Sequence, residues 1–155
     1  MRLADVLKED YIFTDLKARE KNELLTEMVS GISDKVMLDR ERLLGALLER
    51  ERLGTTGIGH GVAIPHGKIR GLTDIKVFFG RSRKGVEFNS MDNMPVYIFF
   101  LIMAPENSAA AHLKVLASIS HLLKNQEFRT RLMKAETSSE IYRIITEAER
   151  MSGMG

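Results

Sequence analysis

Val96-Tyr97-Ile98-Phe99-Phe100-Leu101-Ile102 is an unbroken run of apolar and aromatic residues, and it decides the fold class of this chain. A strand inside a sheet carries such a run when both of its faces are covered. The whole apolar stretch, residues 96–104, is about half of the roughly 20 residues that a membrane-spanning helix needs. We therefore predict a central β-strand here, with a second strand over residues 75–79 and a short one over residues 11–13.

Helical patterns surround these strands. Apolar residues recur at helical spacing over residues 17–32, and Asp39 is a suitable N-cap for a helix that runs to Leu53 and stops at Gly54. Residues 84–88 are expected to form a turn with a short edge piece. The basic cluster Arg81-Ser82-Arg83-Lys84 beside it is expected to be a solvated turn rather than a docking surface. Strands in the middle of the chain and helices at both ends indicate α/β layering. The remaining predictions are helices over residues 108–124 and 127–134, and a capping box at Thr137-Ser138-Ser139-Glu140 that opens a last helix.

Length and composition allow one domain and exclude several classes of protein. A chain of 155 residues can bury a core without disulfides or structural metal, and we assign residues 1–150 to one domain and residues 151–155 to a C-terminal tail. The absence of cysteine excludes thiolate catalysis and cysteine-ligated metal. A net charge of +2 without a polybasic block indicates neither nucleic-acid binding nor membrane insertion. The first ten residues do not resemble a targeting peptide, and we expect a cytoplasmic protein.

Five of the twelve glycines lie in one stretch, Arg50-Glu51-Arg52-Leu53-Gly54-Thr55-Thr56-Gly57-Ile58-Gly59-His60-Gly61-Val62-Ala63-Ile64-Pro65-His66-Gly67-Lys68. Glycine and proline restrict and shape the backbone there, and the stretch presents a histidine between a proline and a glycine. Two nucleotide-binding motifs fail on spacing. Gly61 and Gly67 are separated by five residues where a P-loop has four, and Val62 stands where a dinucleotide motif needs its third glycine.

The groups in this stretch suit an oxyanion. His66 offers an imidazole nitrogen that can attack phosphorus, and Arg50 offers a planar fork of N–H donors. Thr55 and Thr56 supply hydroxyl donors, and the glycines, Gly67 among them, supply backbone N–H groups for the oxygens of a loose phosphoryl-transfer transition state. From the residues alone, a histidine that merely ties a turn is an equal alternative.

The same stretch resembles the signature of the fructose and mannitol type of phosphotransferase-system enzyme IIA domain. The resemblance implies a mixed β-sheet of about five strands, flanked by α-helices on both faces. In its details the chain is most similar to the nitrogen-regulatory members of that family. The residues that carry the likeness are Ala63-Ile64-Pro65-His66-Gly67, preceded by Arg50-Glu51 and Thr55-Thr56-Gly57-Ile58-Gly59, and farther along Ala104-Pro105, His112-Leu113 and Glu140-Ile141-Tyr142-Arg143-Ile144-Ile145-Thr146.

The resemblance also implies roles for single residues. His66 would accept a phosphoryl group from a phosphohistidine on an HPr-like carrier, Arg50 would hold the phosphoryl oxygens, and His112 would lie beside His66 as a second histidine. No cofactor is implied, and the chain would be a phosphoryl carrier rather than a multiple-turnover enzyme on a small molecule. Its output would be the regulation of protein targets such as a sensor kinase or a transporter. Sugar uptake through an enzyme IIB partner is one alternative, and an unphosphorylated binding module is another.

The other histidines are given simpler interpretations. His112 and His121 lie nine residues apart on one predicted helix, so they face nearly opposite directions and cannot share a site. His112 is alternatively a boundary histidine that bonds to the backbone. His60 replaces an asparagine that is common in nitrogen-regulatory members, and we give it no catalytic role. His121 is expected to be solvated, and Lys68 either is solvated or adds positive potential at the site. No acidic residue joins these histidines in a ligand motif, so no metal site is predicted.

Overall fold

The apolar run predicted as a central strand is the middle of a mixed sheet in the computed structural model, which describes residues 2–153. This strand, β6, is buried at every position except the half-buried Tyr97. Antiparallel β5 lies on one of its edges, while β3 and β4 lie along the other edge and run parallel to it. Beyond them, β1 pairs in parallel with β5, and β2 pairs antiparallel with β3. In chain order the strands are β1 (Leu7–Phe13), β2 (Gly57–Gly59), β3 (Val62–Ala63), β4 (His66–Ile69), β5 (Lys76–Val86) and β6 (Val96–Pro105).

Helices precede, separate and follow these strands within residues 2–153. They cover both faces of the sheet, as adjacent residues of β5 demonstrate. A Cβ atom added at Gly80 would lie 3.0 Å from Met28 Cε on α2, whereas the guanidinium of Arg81, which points to the other face, bonds to the carbonyl of Leu132 on α5. The predicted α/β class and mixed sheet are confirmed, with six strands rather than about five. The helices are α1 (Leu3–Val6), α2 (Lys21–Val36), α3 (Arg40–Arg52), α4 (Ala109–Leu123), α5 (Gln126–Lys134) and α6 (Ser138–Met151).

Two of the predicted helix starts are confirmed by their caps. Asp39 accepts a hydrogen bond from Arg42 N at 3.1 Å, and Thr137 Oγ1 accepts one from Glu140 N at 3.1 Å. The second half of the predicted capping box differs, because the Glu140 carboxylate takes the backbone N–H of Glu136 instead of that of Thr137. The caps therefore set where α3 and α6 begin, and α3 in turn determines where Arg50 lies.

Three local predictions are wrong. The first long helix, α2, begins at Lys21 rather than at residue 17, because the Glu27 carboxylate holds the N–H groups of Lys17 and Ala18 outside the helix. Strand β5 continues to Val86, so the expected turn and edge piece over residues 84–88 are mostly strand. Arg81 in the predicted solvated cluster is only 1% exposed. Contacts with β6 and α5 outweighed the local pattern in β5 and at Arg81, whereas a side chain of α2 itself shortened that helix.

The glycine-rich stretch is not a loop throughout. Residues 62–69 follow the edge of β6 as β3 and β4, interrupted at Ile64 and Pro65. Proline has no N–H to donate, yet its carbonyl accepts from Ile102 N at 2.9 Å, so the chain resumes pairing at His66. Strand pairing thus fixes the backbone on which that histidine stands.

The last described residues follow the end of the final helix. Helix α6 ends at Met151, the predicted tail continues as a turn to Gly153, and Met154 and Gly155 lie outside the described residues. No helix within residues 2–153 combines the length and the apolar character that crossing a bilayer requires.

Candidate functional site

His66 is the first residue of β4, in register with Ile102 of the central strand. Its Nδ1 atom lies 2.9 Å from the backbone oxygen of Ile64. A carbonyl oxygen can only accept a hydrogen bond, so Nδ1 carries the ring proton and donates it. The lone pair of the neutral imidazole is therefore on Nε2, which is the nucleophilic atom of this ring.

Arg50, in the last turn of α3, contacts that nucleophilic atom directly. Its Nε–H donates to His66 Nε2 at 3.1 Å, and its Nη1 donates to the carbonyl of Gly54 at 2.9 Å. Helix α3 can approach β4 closely because Gly67 has no side chain, and a Cβ there would lie 3.4 Å from the backbone of Ala46. The arginine predicted to enter the site from the preceding helix does so.

His112 lines the same cleft, from the first turns of α4. Its ring centroid is 5.2 Å from that of His66, with the two planes at 78°. The residue is 9% exposed, and its Nε2 atom is buried without a hydrogen-bond partner in the described part of the chain. A buried polar atom without a partner costs about 1–3 kcal/mol, so this nitrogen is suited to a group that enters the cleft.

Burial favours the neutral form of both imidazoles. The pKa of His66 lies below its ordinary value chiefly because burial disfavours the charged ring, while the hydrogen bond to Ile64 raises this pKa and the charge of Arg50 lowers it. Burial also lowers the pKa of His112, with smaller contributions from His66 and Lys68. A neutral His66 is the form that can attack phosphorus. The cleft around the two rings is lined by Ala46, Glu49, Arg50, Leu53, His66, Gly67, Lys68 and His112.

The two predicted threonines do not line this cleft. Thr56 is 4% exposed, and its hydroxyl and backbone N–H both donate to the carboxylate of Glu51. The hydroxyl of Thr55 lies 3.4 Å from the carbonyl of Phe88 and accepts from Gly57 N at 3.1 Å. Both hydroxyls are engaged within the fold, so the structure does not bring them to His66.

Glu51 is the residue that the sequence analysis missed. Two features of the sequence mark it: it belongs to Arg50-Glu51, one of the stretches that carry the family resemblance, and it is an acidic residue in the last turn of a helix, where the helix dipole favours cations. Its side chain is buried, and its carboxylate accepts hydrogen bonds from Thr56 in the segment just before β2. Glu51 thus explains why the Thr56 hydroxyl is not available to the cleft.

The remaining histidines lie elsewhere. His60 is exposed, has a φ of 57° and forms part of the turn between β2 and β3. His121 lines a different cleft, beside Leu122 and Asn125. No group of three or more histidine or acidic side chains within residues 2–153 is placed to hold a metal ion.

The fold and the site define an α/β protein that presents a neutral, nucleophilic imidazole beside an arginine and a second histidine. The chain belongs to the family of EIIA 2 domains of the phosphoenolpyruvate-dependent sugar phosphotransferase system, whose model matches residues 5–148. This match confirms the resemblance drawn from the sequence, and it covers most of the chain, including all of the site residues described above.

Individual relatives agree with this assignment. A nitrogen regulatory protein of Bradyrhizobium diazoefficiens is 37% identical over 145 residues, which are 94% of this chain and 95% of that protein. The fructose-specific EIIABC component of Bacillus subtilis is 35% identical over 151 residues, 97% of this chain but only 24% of that longer protein. The crystal structure of the nitrogen regulatory protein IIA-Ntr of Neisseria meningitidis superposes with a TM-score of 0.88 at 31% identity, covering 93% of this chain and 99% of the other.

Proposed function

We propose that this chain is a phosphocarrier in which His66 Nε2 accepts a phosphoryl group from a phosphohistidine on an HPr-like protein. The Nε2 lone pair forms the new bond to phosphorus, and the phosphorus–nitrogen bond of the donor breaks with its electron pair returning to the donor's imidazole. His66 loses no proton in this step, because the proton stays on Nδ1, which donates it in a hydrogen bond to the carbonyl of Ile64. That hydrogen bond is the observation that supports Nε2 most directly.

Arg50 and His112 complete the proposed site. Arg50 donates to Nε2 in this structure, so its guanidinium must leave the lone pair and turn to the phosphoryl oxygens as the bond forms. His112 then finds in a phosphoryl oxygen the partner that its buried Nε2 lacks. Lys68, at the same cleft, adds positive charge.

Regulation is the output that we propose for the phosphoryl group. Support comes from the nitrogen regulatory protein of Bradyrhizobium diazoefficiens, with which this chain aligns over nearly the full length of both. A phosphoryl group adds a charge of about −1.5 to −2 at the cleft and so changes which partner surface this face can bind. We place the reaction in the cytoplasm, where phosphoenolpyruvate is made, with a sensor kinase or a transporter as the regulated partner.

Labelling from phosphoenolpyruvate tests the phosphoryl transfer. The wild-type chain, incubated with phosphoenolpyruvate, enzyme I and an HPr-like carrier, is expected to gain an acid-labile, base-stable label. Nitrogen NMR spectra should then show that the phosphoryl group is bonded to Nε2. His66→Ala should abolish the label, whereas the control His121→Ala, in a different cleft, should keep it. An unlabelled wild type would refute the proposal and favour a binding module.

Sugar uptake is the second candidate, supported by the likeness to the fructose-specific EIIABC component of Bacillus subtilis. In that case the phosphoryl group would pass to a cysteine of an enzyme IIB, which must be on another stretch of chain because none of the 155 residues is cysteine. A chase of the labelled chain with a IIB domain distinguishes the two outputs. Rapid transfer of label to a IIB cysteine would favour uptake, and retention of label on His66 would favour regulation.

A further inference from the structure

The carboxylate of Glu51 is buried directly behind the candidate site. Its side chain is 5% exposed, although Glu51 follows Arg50 in the last turn of α3. Three donors converge on it: the hydroxyl of Thr56, the backbone N–H of Thr56 at 3.2 Å and the Nζ atom of Lys21 at 2.9 Å. No lone acid is buried here, because each carboxylate oxygen has a donor.

These donors connect Glu51 to both ring nitrogens of His66. On one side, Glu51 fixes Thr56, and the carbonyl of Thr56 accepts a hydrogen bond from Ile64 N at 3.0 Å. The carbonyl of Ile64 in turn accepts one from His66 Nδ1. On the other side, Arg50 is the peptide neighbour of Glu51 and donates to His66 Nε2. Hydrogen bonds therefore link the Glu51 carboxylate to the partner of Nδ1, and the partner of Nε2 is the residue next to Glu51 in α3.

Lys21 brings a third segment to this point. It is the first residue of α2, its side chain is 15% exposed, and its Nζ lies 4.7 Å from the centroid of the Phe88 ring. The desolvation of a buried ion pair offsets most of its Coulomb attraction, so such a pair is weak evidence for stability. What the pair provides is a fixed relation between the start of α2 and the end of α3.

We propose that Glu51 is a positioning residue for phosphoryl transfer, which holds Arg50 and the Thr56–Ile64 pairing so that His66 presents Nε2 in one orientation. This inference rests on the proposed function of His66. Positioning matters because a displacement of about 1 Å at a reacting group can cost up to about 100-fold in rate. Glu51 does not touch the phosphoryl group and acts through its neighbours.

Electrostatics give a second, weaker effect. The negative charge of Glu51 raises the pKa of His66 and so opposes the effects of burial and of Arg50. The other charged or titratable groups around the ring are Glu49 on α3, Lys68 on β4 and His112 on α4. Removal of the Glu51 charge should therefore lower the pKa of His66 further, provided that these neighbours stay in place.

The central experiment compares Glu51→Gln with Glu41→Gln. Glu41 is exposed in the first turn of the same helix, so its variant removes the same charge far from the site. With the phosphorylated HPr-like carrier as donor, Glu51→Gln is expected to lower kcat for labelling about tenfold with little change in KM. Glu41→Gln should label as the wild type does.

A double-mutant cycle tests whether Glu51 acts through Arg50. In an Arg50→Ala background, Glu51→Gln should cost about threefold instead of about tenfold, because Arg50 is gone while the route through Thr56 and Ile64 to Nδ1 remains. A merely structural role would give the same loss in both backgrounds and would overturn the proposal. Labelling by Glu51→Gln at the wild-type rate would also overturn it.

Two further measurements keep the proposal testable if Glu51→Gln folds poorly or if the wild type takes no label. Thr56→Val removes only the hydroxyl donor and is expected to slow labelling about threefold, whereas Thr56→Ser keeps the hydroxyl and should restore it. Nitrogen NMR of the unphosphorylated chain should report a lower pKa for His66 and a weakened Arg50 Nε–H contact in Glu51→Gln. An unchanged ring spectrum would contradict the role of Glu51, while an unlabelled wild type would contradict only the function of His66.

Discussion

His66 is partly buried and His112 is buried, so charging either ring is less favourable in the folded protein than in the unfolded chain. Burial lowers the pKa of each below its ordinary value, whereas histidines in the unfolded chain titrate near about 6.5. Between the folded and the unfolded pKa the unfolded chain binds more protons, so the free energy of unfolding decreases as the pH falls. The contribution is complete above about pH 6.5 and is lost as the pH falls through the folded pKa values.

Urea unfolding between pH 8 and pH 5 measures this effect. The free energy of unfolding is expected to be constant above about pH 7 and to decrease below about pH 6.5. His112→Gln should show a smaller decrease, because one of the two shifted histidines is gone. His121→Gln lies in another cleft and serves as the control. A decrease of equal size in wild type and His112→Gln would show that His112 does not contribute.

At single positions, the sequence predicted which side chains meet better than it predicted their hydrogen bonds. His66, Arg50 and His112 line one cleft, as the family resemblance implied. The choice between Nδ1 and Nε2 depends on the carbonyl of Ile64, which no sequence spacing reveals. The two threonines were assigned to the phosphoryl group from their hydroxyls alone, and the structure engages them with Glu51 and Phe88 instead.

At the level of elements, the middle of each long patterned segment was predicted correctly, whereas several boundaries and the shortest strands were not. The central strand, α3 and α4 have apolar patterns long enough to identify. Strands β2, β3 and β4 have only two to four residues each, too few for any period, and they exist because β6 offers them a paired edge. The extension of β5 through Arg81 likewise depends on pairing with β6, which overrides the local basic composition.

Two glycines, one in α3 and one in β2, should respond to alanine in opposite directions. Gly45 lies inside α3 with nothing within 4 Å of an added Cβ, so Gly45→Ala should raise the free energy of unfolding by about 0.5–1 kcal/mol. A Cβ at Gly57 would lie 2.9 Å from the backbone of Ser90, so Gly57→Ala should lower it by about 1–3 kcal/mol. Thermal or urea unfolding measures both. A neutral Gly57→Ala would mean that the segment around Ser90 moves without cost.

For the molecule as a whole, Arg81 connects distant parts of the chain. It belongs to β5, is almost completely buried and has no carboxylate among its hydrogen-bond partners. Its Nε donates to the carbonyl of Thr14 at 3.1 Å, beyond the end of β1. Its Nη1 donates to the carbonyls of Leu132 at 2.9 Å and Ala135 at 2.6 Å, at the end of α5. One guanidinium thus joins the first strand to the C-terminal helices across β5.

Replacement of Arg81 should therefore weaken the whole fold without changing the chemistry of the cleft. Arg81→Met keeps the aliphatic volume but leaves three carbonyls without their donor, and we expect a loss of about 2–4 kcal/mol in the free energy of unfolding. Arg83→Met is the matched control, because Arg83 is exposed and its guanidinium lies 3.5 Å from the nearest carbonyls, so its loss should stay within about 0.5 kcal/mol. Labelling of His66 per folded molecule should be equal in both variants, since neither arginine lines that cleft. Slower labelling in folded Arg81→Met would mean that the link also sets the geometry of the site.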